Sequence, residues 1–211
     1  MPIGLIYRNL LWWVFYTSHL HVIMVKQFNS PHHTFLSKRF DRADHGSRIH
    51  FSSAMTLLQR TDGDDASNGV SYLELVAFIL REGANVEKDL EALWRRIVFS
   101  ICVSNTDDHL RNHGFLLEPG QGWILSPAYD INPVAHADGL KLNISESDNT
   151  QSLELAEDVA ELFRLKPKQA KRMIKEVLSA VSHWHREADQ LKISKKEQDY
   201  MAHAFRYTHH Q

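Results

Sequence analysis

The sequence contains one cysteine, Cys102. No internal disulfide can form and no Cys-x-x-Cys metal site exists, which fits a reducing, cytoplasmic setting. Glycine is sparse, nine residues in 211, and Gly4 is the sole glycine ahead of "TFLSKRF", so no glycine-rich phosphate loop can be read there. Long hydrophobic runs are missing too. The most apolar stretch, "LLWWVFYTSHLHVIMV", is purely apolar or aromatic only from Leu10 to Tyr16. Thr17, Ser18, His19 and His21 interrupt the rest, short of the roughly 20 residues of a membrane span, and no small-residue cleavage site follows. Nor does one sign of charge dominate: Lys+Arg total 24 and Asp+Glu 26, a net −2 that reads as mixed throughout. That balance offers no polybasic footprint for direct nucleic-acid binding or an anionic membrane. Histidine is abundant, at 14 residues, but no HExxH or comparable ligand spacing occurs, and His209-His210 reads as tail.

What remains is a globular chain with 43% hydrophobic residues, enough to bury about 70% of its unfolded surface as one domain or two small lobes. Up to about Arg42, apolar and polar residues alternate around the turn-like "NSPHH", which predicts a hairpin between "HVIMVKQF" and "TFLSKRF". From Ser47 to Ser104 the pattern is helical. Ser71 with Glu74 forms a capping box and Gly83 a stop. A longer helix follows from about Glu87 to Val103, with Leu90, Leu93, Trp94, Ile97, Val98 and Ile101 on one stripe. Cys102, on its last turn, reads as a buried small side chain. After a polar loop, "GFLL" and "WILS" flank "EPGQG" as a second hairpin. Helices are then expected over Ser152 to Leu165, Pro167 to Gln190 and Ser194 to Tyr207.

The polar loop, "SNTDDHLRNHG", holds the candidate chemistry. A two-stranded hairpin returns the chain close to where it began, so Asp107 before it and Asp130 after it should face each other across a small gap, with Asn112 at the entrance. Asp107 and Asn112 stand at the Asp-to-Asn spacing of a protein-kinase catalytic loop, and Asp130 takes the place of the metal-binding aspartate after the next hairpin. In such a site one aspartate accepts the proton of the attacking hydroxyl, while the asparagine and second aspartate hold Mg²⁺ on the nucleotide phosphates. Asp108 competes as base but is one residue short of that spacing, and reads as a helix-terminating or loop-exposed acid. His109 reads as a hydrogen-bonding brace.

Together, "NTDDHLRNHGFLL", "GWILSPAYDINP" and "KLNISESDN", preceded by "FLSKRFDR", resemble the C-terminal part of the HipA-type serine/threonine kinases, toxins of bacterial toxin–antitoxin pairs, over about Thr34 to Tyr207. The resemblance implies an α+β, mostly α fold: a protein-kinase-like C-lobe over residues 43–211 behind a short, truncated N-terminal β region, residues 1–42. It implies ATP and Mg²⁺ as cofactors, Asp107 as catalytic base, Asn112 and Asp130 as metal ligands, and Arg111 near the phosphates. "SKRFDR" becomes the hinge between lobes, with Lys38 and Phe40 near the adenine and Asp41 near the ribose. Implied partners are a protein substrate, with an aminoacyl-tRNA synthetase the class indicated, and a DNA-binding antitoxin.

The departure from that family is at the front, where neither the phosphate-gripping loop nor its lysine can be read; Lys26 in "VIMVK" resembles the latter only superficially. Without that cradle, positioning and electrostatic stabilisation both weaken. Three readings stay open. The chain is a HipA-type kinase, a fragment or one completed by a separate N-terminal lobe; a noncatalytic remnant that binds an antitoxin; or a small-molecule phosphotransferase of the aminoglycoside-kinase type, whose Asp-x-His-x-x-Asn pattern Asp107, His109 and Asn112 also fit. "SPAYD" and "FLSKRFDR" favour the first over the third.

Overall fold

The computed structural model describes residues 22–26, 34–37 and 39–208. Leu10 to Tyr16, Lys38 and His209-His210 lie outside them. Val22–Lys26 (β1) and Thr34–Ser37 (β2) pair antiparallel, Val22 opposite Ser37 and Lys26 opposite Thr34, as the alternation around a turn sequence predicts.

Within the stretch expected to be helical, Phe51–Ser53 (β3) is instead a strand. Three residues carry too little periodicity to announce themselves; the ladder offered by Gly114–Glu118 (β4) makes the strand, setting Phe51 opposite Leu116 and Ser53 opposite Gly114. Gly122–Leu125 (β5) pairs on the other side of β4, so an antiparallel sheet of order β3-β4-β5 results. A single turn, Ala54–Leu57 (α1), follows β3 with the Ser53 hydroxyl accepting from the Thr56 amide.

Tyr72–Glu82 (α2) begins at the Ser71 capping box with Glu74 and ends at Gly83, where a Cβ would run into the Ile79 carbonyl. Val86–Val103 (α3) is the axis of the molecule. Beyond its first turns it is buried all round, eight consecutive residues from Arg96 to Val103, as expected of a helix enclosed by neighbours on every side. Leu153–Asp158 (α4) packs on it, and the Trp94 indole donates to the Ala156 carbonyl across that contact at 2.9 Å. Cys102 is fully buried, and burial pushes its thiol up to about 12, so it behaves as a packing group.

The C-terminal helices are shorter than their sequence patterns. The expected helix after Ser152 becomes α4 and a 3₁₀ turn, Ala160–Phe163, closed by Arg164 at φ 58°. Pro167 to Gln190 divides into Pro167–Val181 (α5) and Trp184–Gln190 (α6). At the break the Ser182 hydroxyl donates to the Ser179 carbonyl, and Trp184 turns inward to stack on Phe205 at 4.2 Å. Lys195–Met201 (α7) starts at the Ser194 cap with Glu197 and runs out into a 3₁₀ turn. Fold class is thus α+β, predominantly helical. No helix among the described residues is long and apolar enough to cross a membrane.

Charge is not mixed throughout, contrary to the expectation from composition. Residues 164–196 hold ten Lys and Arg against three Asp and Glu, +7, which leaves −9 for the rest of a chain whose total is −2. Lys168, Lys171, Arg172 and Lys175 are exposed along one face of α5 at i, i+3, i+4, i+7 spacing.

Candidate functional site

The loop from α3 to β4 is built by its own main chain. Ser104 ends α3 in the left-handed region (φ 51°, ψ 48°), and the Asn105 amide returns to the Ser100 carbonyl at 2.9 Å. The chain then folds around one acceptor, the Asp107 carbonyl. The His109 amide donates to it at 3.0 Å and the Asn112 side-chain Nδ2 at 3.1 Å, while the Asn112 amide donates to the His109 carbonyl at 2.8 Å. His109 therefore braces the loop through its backbone, not its ring, whose Nδ1 has no hydrogen-bond partner among the described residues.

Asp107 is exposed and Asp108 is 2% exposed. The expectation of a loop-exposed Asp108 is therefore wrong. Its carboxylate accepts from the Tyr72 hydroxyl at 2.6 Å and the Ser100 hydroxyl at 3.4 Å, and lies 3.0 Å from His113 Nε2. Burial alone would raise this carboxyl, but His113, the Tyr72 hydroxyl and Arg96 together bring it below the ordinary carboxylate range. Tyr72 is raised well above its usual value, by burial first and by Asp108 second. Short-range sequence spacing could not show this, because Asp108's partners come from 36 residues upstream and from the far side of the loop.

Beyond the hairpin, residues 126–134 lie against the loop. The Tyr129 hydroxyl donates to the Arg111 carbonyl at 2.6 Å, the Asn132 amide to Asn105 Oδ1 at 3.1 Å, and the Val134 amide to the Ser104 carbonyl at 3.0 Å. Asp130 stands between these tethers, exposed, at φ 52°, in the left-handed region that Asp enters more readily than most residues. The Asn132 side chain donates to its Oδ1 at 2.9 Å. Asn105, unnoticed in the sequence, is the keystone: 1% exposed, it donates to the Ser100 hydroxyl and accepts from Asn132. A buried Asx of this kind is indistinguishable by spacing from the turn formers beside it.

Phe40, in the segment expected to form the hinge, meets the same place. Phe40 lies 5.7 Å, ring to ring, from both Phe51 and Tyr129, and Phe51 and Tyr129 are 6.2 Å apart. Gly114 is required beneath them, since a Cβ there would strike the Phe51 ring. The Asp41 carboxylate takes Arg39 Nε and Arg42 Nη1, each at 2.7 Å. The Arg39 hydrogen bond holds its carboxyl below the usual range. Arg111 pairs with Asp62 at 2.7 Å, both side chains exposed.

From behind, α3 fixes the end of β5 with two buried ionic residues. Asp89 accepts from the Leu125 amide at 2.9 Å and Arg96 donates to the Ser126 carbonyl. Burial pushes Asp89 up to about 6 and Arg96 down to about 10. Among the described residues no group of three or more His, Cys, Asp or Glu side chains gathers to hold a metal. The expected Mg²⁺ set is one carboxylate, Asp130, and one amide, Asn112. Those are the hard oxygen donors Mg²⁺ takes in small number while keeping waters and phosphate oxygens, and the engagement of Asn112 through Nδ2 leaves its amide oxygen as the acceptor.

A family model described as the HipA-like C-terminal domain matches residues 16–184. The chain belongs to the HipA-like C-terminal domain family. A Haemophilus influenzae protein named "Putative kinase" is 30% identical over 112 residues, 51% of this HipA-like chain and 33% of that protein. In the Shewanella oneidensis MR-1 toxin–antitoxin complex of HipA, HipB and operator DNA, one chain superposes with a TM-score of 0.77 at 17% identity. That match covers 99% of this chain and 54% of the other, and at such identity it shows the shared fold. The HipA-like chain thus spans a third of its curated relative and about half of its structural one.

Proposed function

We propose that this chain is the phosphoryl-transfer part of a HipA-like protein serine/threonine kinase, the toxin of a toxin–antitoxin pair, working with ATP and Mg²⁺. One observation carries the reading: the loop closes on the Asp107 carbonyl through Asn112, and the chain on both sides of Asp130 is tethered to that loop. Asp107 then accepts the proton of an attacking hydroxyl. Asn112 and Asp130 offer their oxygens to the metal. Mg²⁺-ATP, when bound, supplies the phosphoryl group and offsets its charge. Arg111 turns from Asp62 to phosphate oxygens; an exposed ion pair of this kind holds it by no more than about 1 kcal/mol. Phe40 and Tyr129 offer an aromatic wall to the adenine, with Lys38 and Asp41 near the base and ribose.

In this proposal residues 1–42 are a remnant of the N-lobe and residues 43–211 the kinase-like C-lobe. A protein hydroxyl, with an aminoacyl-tRNA synthetase as the class of substrate, receives the phosphoryl group. A DNA-binding antitoxin is the partner, and a separate N-terminal lobe completes the site. The chain alone is therefore expected to bind Mg²⁺-ATP weakly and to transfer phosphate slowly, since losing one preorganised donor commonly costs about 10² to 10³ in rate.

Titration calorimetry with Mg²⁺-ATP, repeated on Asp130→Asn, tests the site: weak binding lost in the variant supports it, and no heat from the wild-type chain at millimolar nucleotide would leave the noncatalytic reading. Labelled ATP with a cell lysate tests the chemistry. Transfer at about 1 to 100 s⁻¹ that Asp107→Asn abolishes would overturn the truncation and keep the base.

A further inference from the structure

Asp108 has no task in the phosphoryl-transfer reading, yet it is among the most completely enclosed acids of the chain. Its partners come from three elements, the two that the loop joins and α2. Tyr72 opens α2, Ser100 lies in the last turn of α3, and His113 immediately precedes β4. Tyr72 and His113 also touch each other, ring edge to ring face, at 5.7 Å, so the acid closes a three-membered cluster. His113 is itself 2% exposed. None of these groups reaches solvent, so none is available to a ligand.

The next residue back is Asp107, whose carbonyl is the acceptor around which the loop folds and whose side chain is exposed. One peptide joins the buried acid to the exposed one. Gripping Asp108 from three sides fixes the orientation of that peptide, and with it both the direction of the Asp107 side chain and the location of the carbonyl on which Asn112 rests.

We infer that Asp108 is a positioning residue: through Tyr72, Ser100 and His113 it sets the geometry of Asp107 and Asn112 from inside the core. This rests on the reading of Asp107, Asn112 and Asp130 as a metal–nucleotide site, but its first consequence, the state of the Asn112 amide, does not. Asp108→Asn keeps shape and removes the charge facing His113. Tyr72→Phe removes one donor and leaves the acid in place.

The test uses the full chain and two readouts. The first is the nuclear magnetic resonance signal of the Asn112 side-chain amide, whose Nδ2 protons report the bond to the Asp107 carbonyl. The second is affinity for Mn²⁺-ATP, with Mn²⁺ followed by electron paramagnetic resonance as the probe for the Mg²⁺ site. In Asp108→Asn the Asn112 signal should move toward that of a free amide and the Mn²⁺-ATP affinity should fall about tenfold to a hundredfold, the usual cost of losing a group that orients a metal ligand. Tyr72→Phe should shift both in the same direction by less. A purely structural role predicts something else: earlier unfolding on heating, with the Asn112 signal and the affinity unchanged in the folded protein, and that result overturns the inference. If Asp108→Asn does not fold, Tyr72→Phe decides by the same readouts. If the wild-type chain binds no Mn²⁺-ATP, the kinase reading fails, and the Asn112 signal alone decides for or against Asp108.

Discussion

Asp89 is held in the first turn of α3 at 5% exposure, with its carboxyl pushed up to about 6 by burial although the Leu125 amide donates to it and Arg96 stands nearby. A folded-state value above the unfolded one, near 3.8, means that the folded chain binds this proton more tightly. Its contribution to stability is therefore greatest below about pH 4 and declines as pH rises to about 6, by at most about 3 kcal/mol at 1.36 kcal/mol per unit. Asp108 works in the opposite sense, since its lowered carboxyl stabilises the fold above the ordinary carboxylate range and ceases to do so on acidification. Substituting Asp89→Asn, which keeps an acceptor for Leu125, should flatten the wild-type decline between pH 4 and 6 and raise the urea midpoint at pH 7.5. A lower midpoint at pH 7.5 would mean that the Asp89 charge is needed to balance Arg96, and that the direction assigned to it is wrong.

At the scale of elements, α3 organises everything else, and Leu93, fully buried in its middle, is where that dependence is most easily measured. Leu93→Ala should cost about 2 to 5 kcal/mol in chemical denaturation, and a loss near zero would show that the stripe is not core. Helices such as α3 were legible because their signals are local: the stripe, the Ser71–Glu74 box and the Gly83 stop all lie within a few residues of one another. The same holds for the β4–β5 hairpin, and the five-residue spacing of Asp107 and Asn112 is short enough for the Asn112 side chain to reach the Asp107 carbonyl. What was not legible depended on distant partners. β3 needs β4, more than 60 residues on, to be a strand at all. The split between α5 and α6 depends on Trp184 finding Phe205. Asp108 and Asn105 look like ordinary turn residues until Tyr72 and Asn132 close on them.

Viewed whole, a chain with the HipA-like fold brings the segment around Phe40, the strand β3 and the polar loop to one seam, where Phe40, Phe51, Tyr129 and the Arg111 carbonyl meet. Its charge is arranged less evenly. With +7 over residues 164–196 and −9 over the rest, a net charge of −2 hides an uneven distribution along the chain. Some of the basic face is offset locally, Lys171 by Glu157 and Arg172 by Glu176. In a chromatography column a protein binds by the side it presents, not by its average. At pH 7.5, above its sequence pI of about 6.7, the chain should still be retained on a sulfonate resin at low ionic strength and released as added salt shortens the screening length to about 10 Å at 0.1 M. Charge reversal at Lys168, Lys171, Arg172 and Lys175 should send it through unretained. Flow-through of the unaltered chain under the same conditions would show that the face of α5 is too well neutralised to act as a patch.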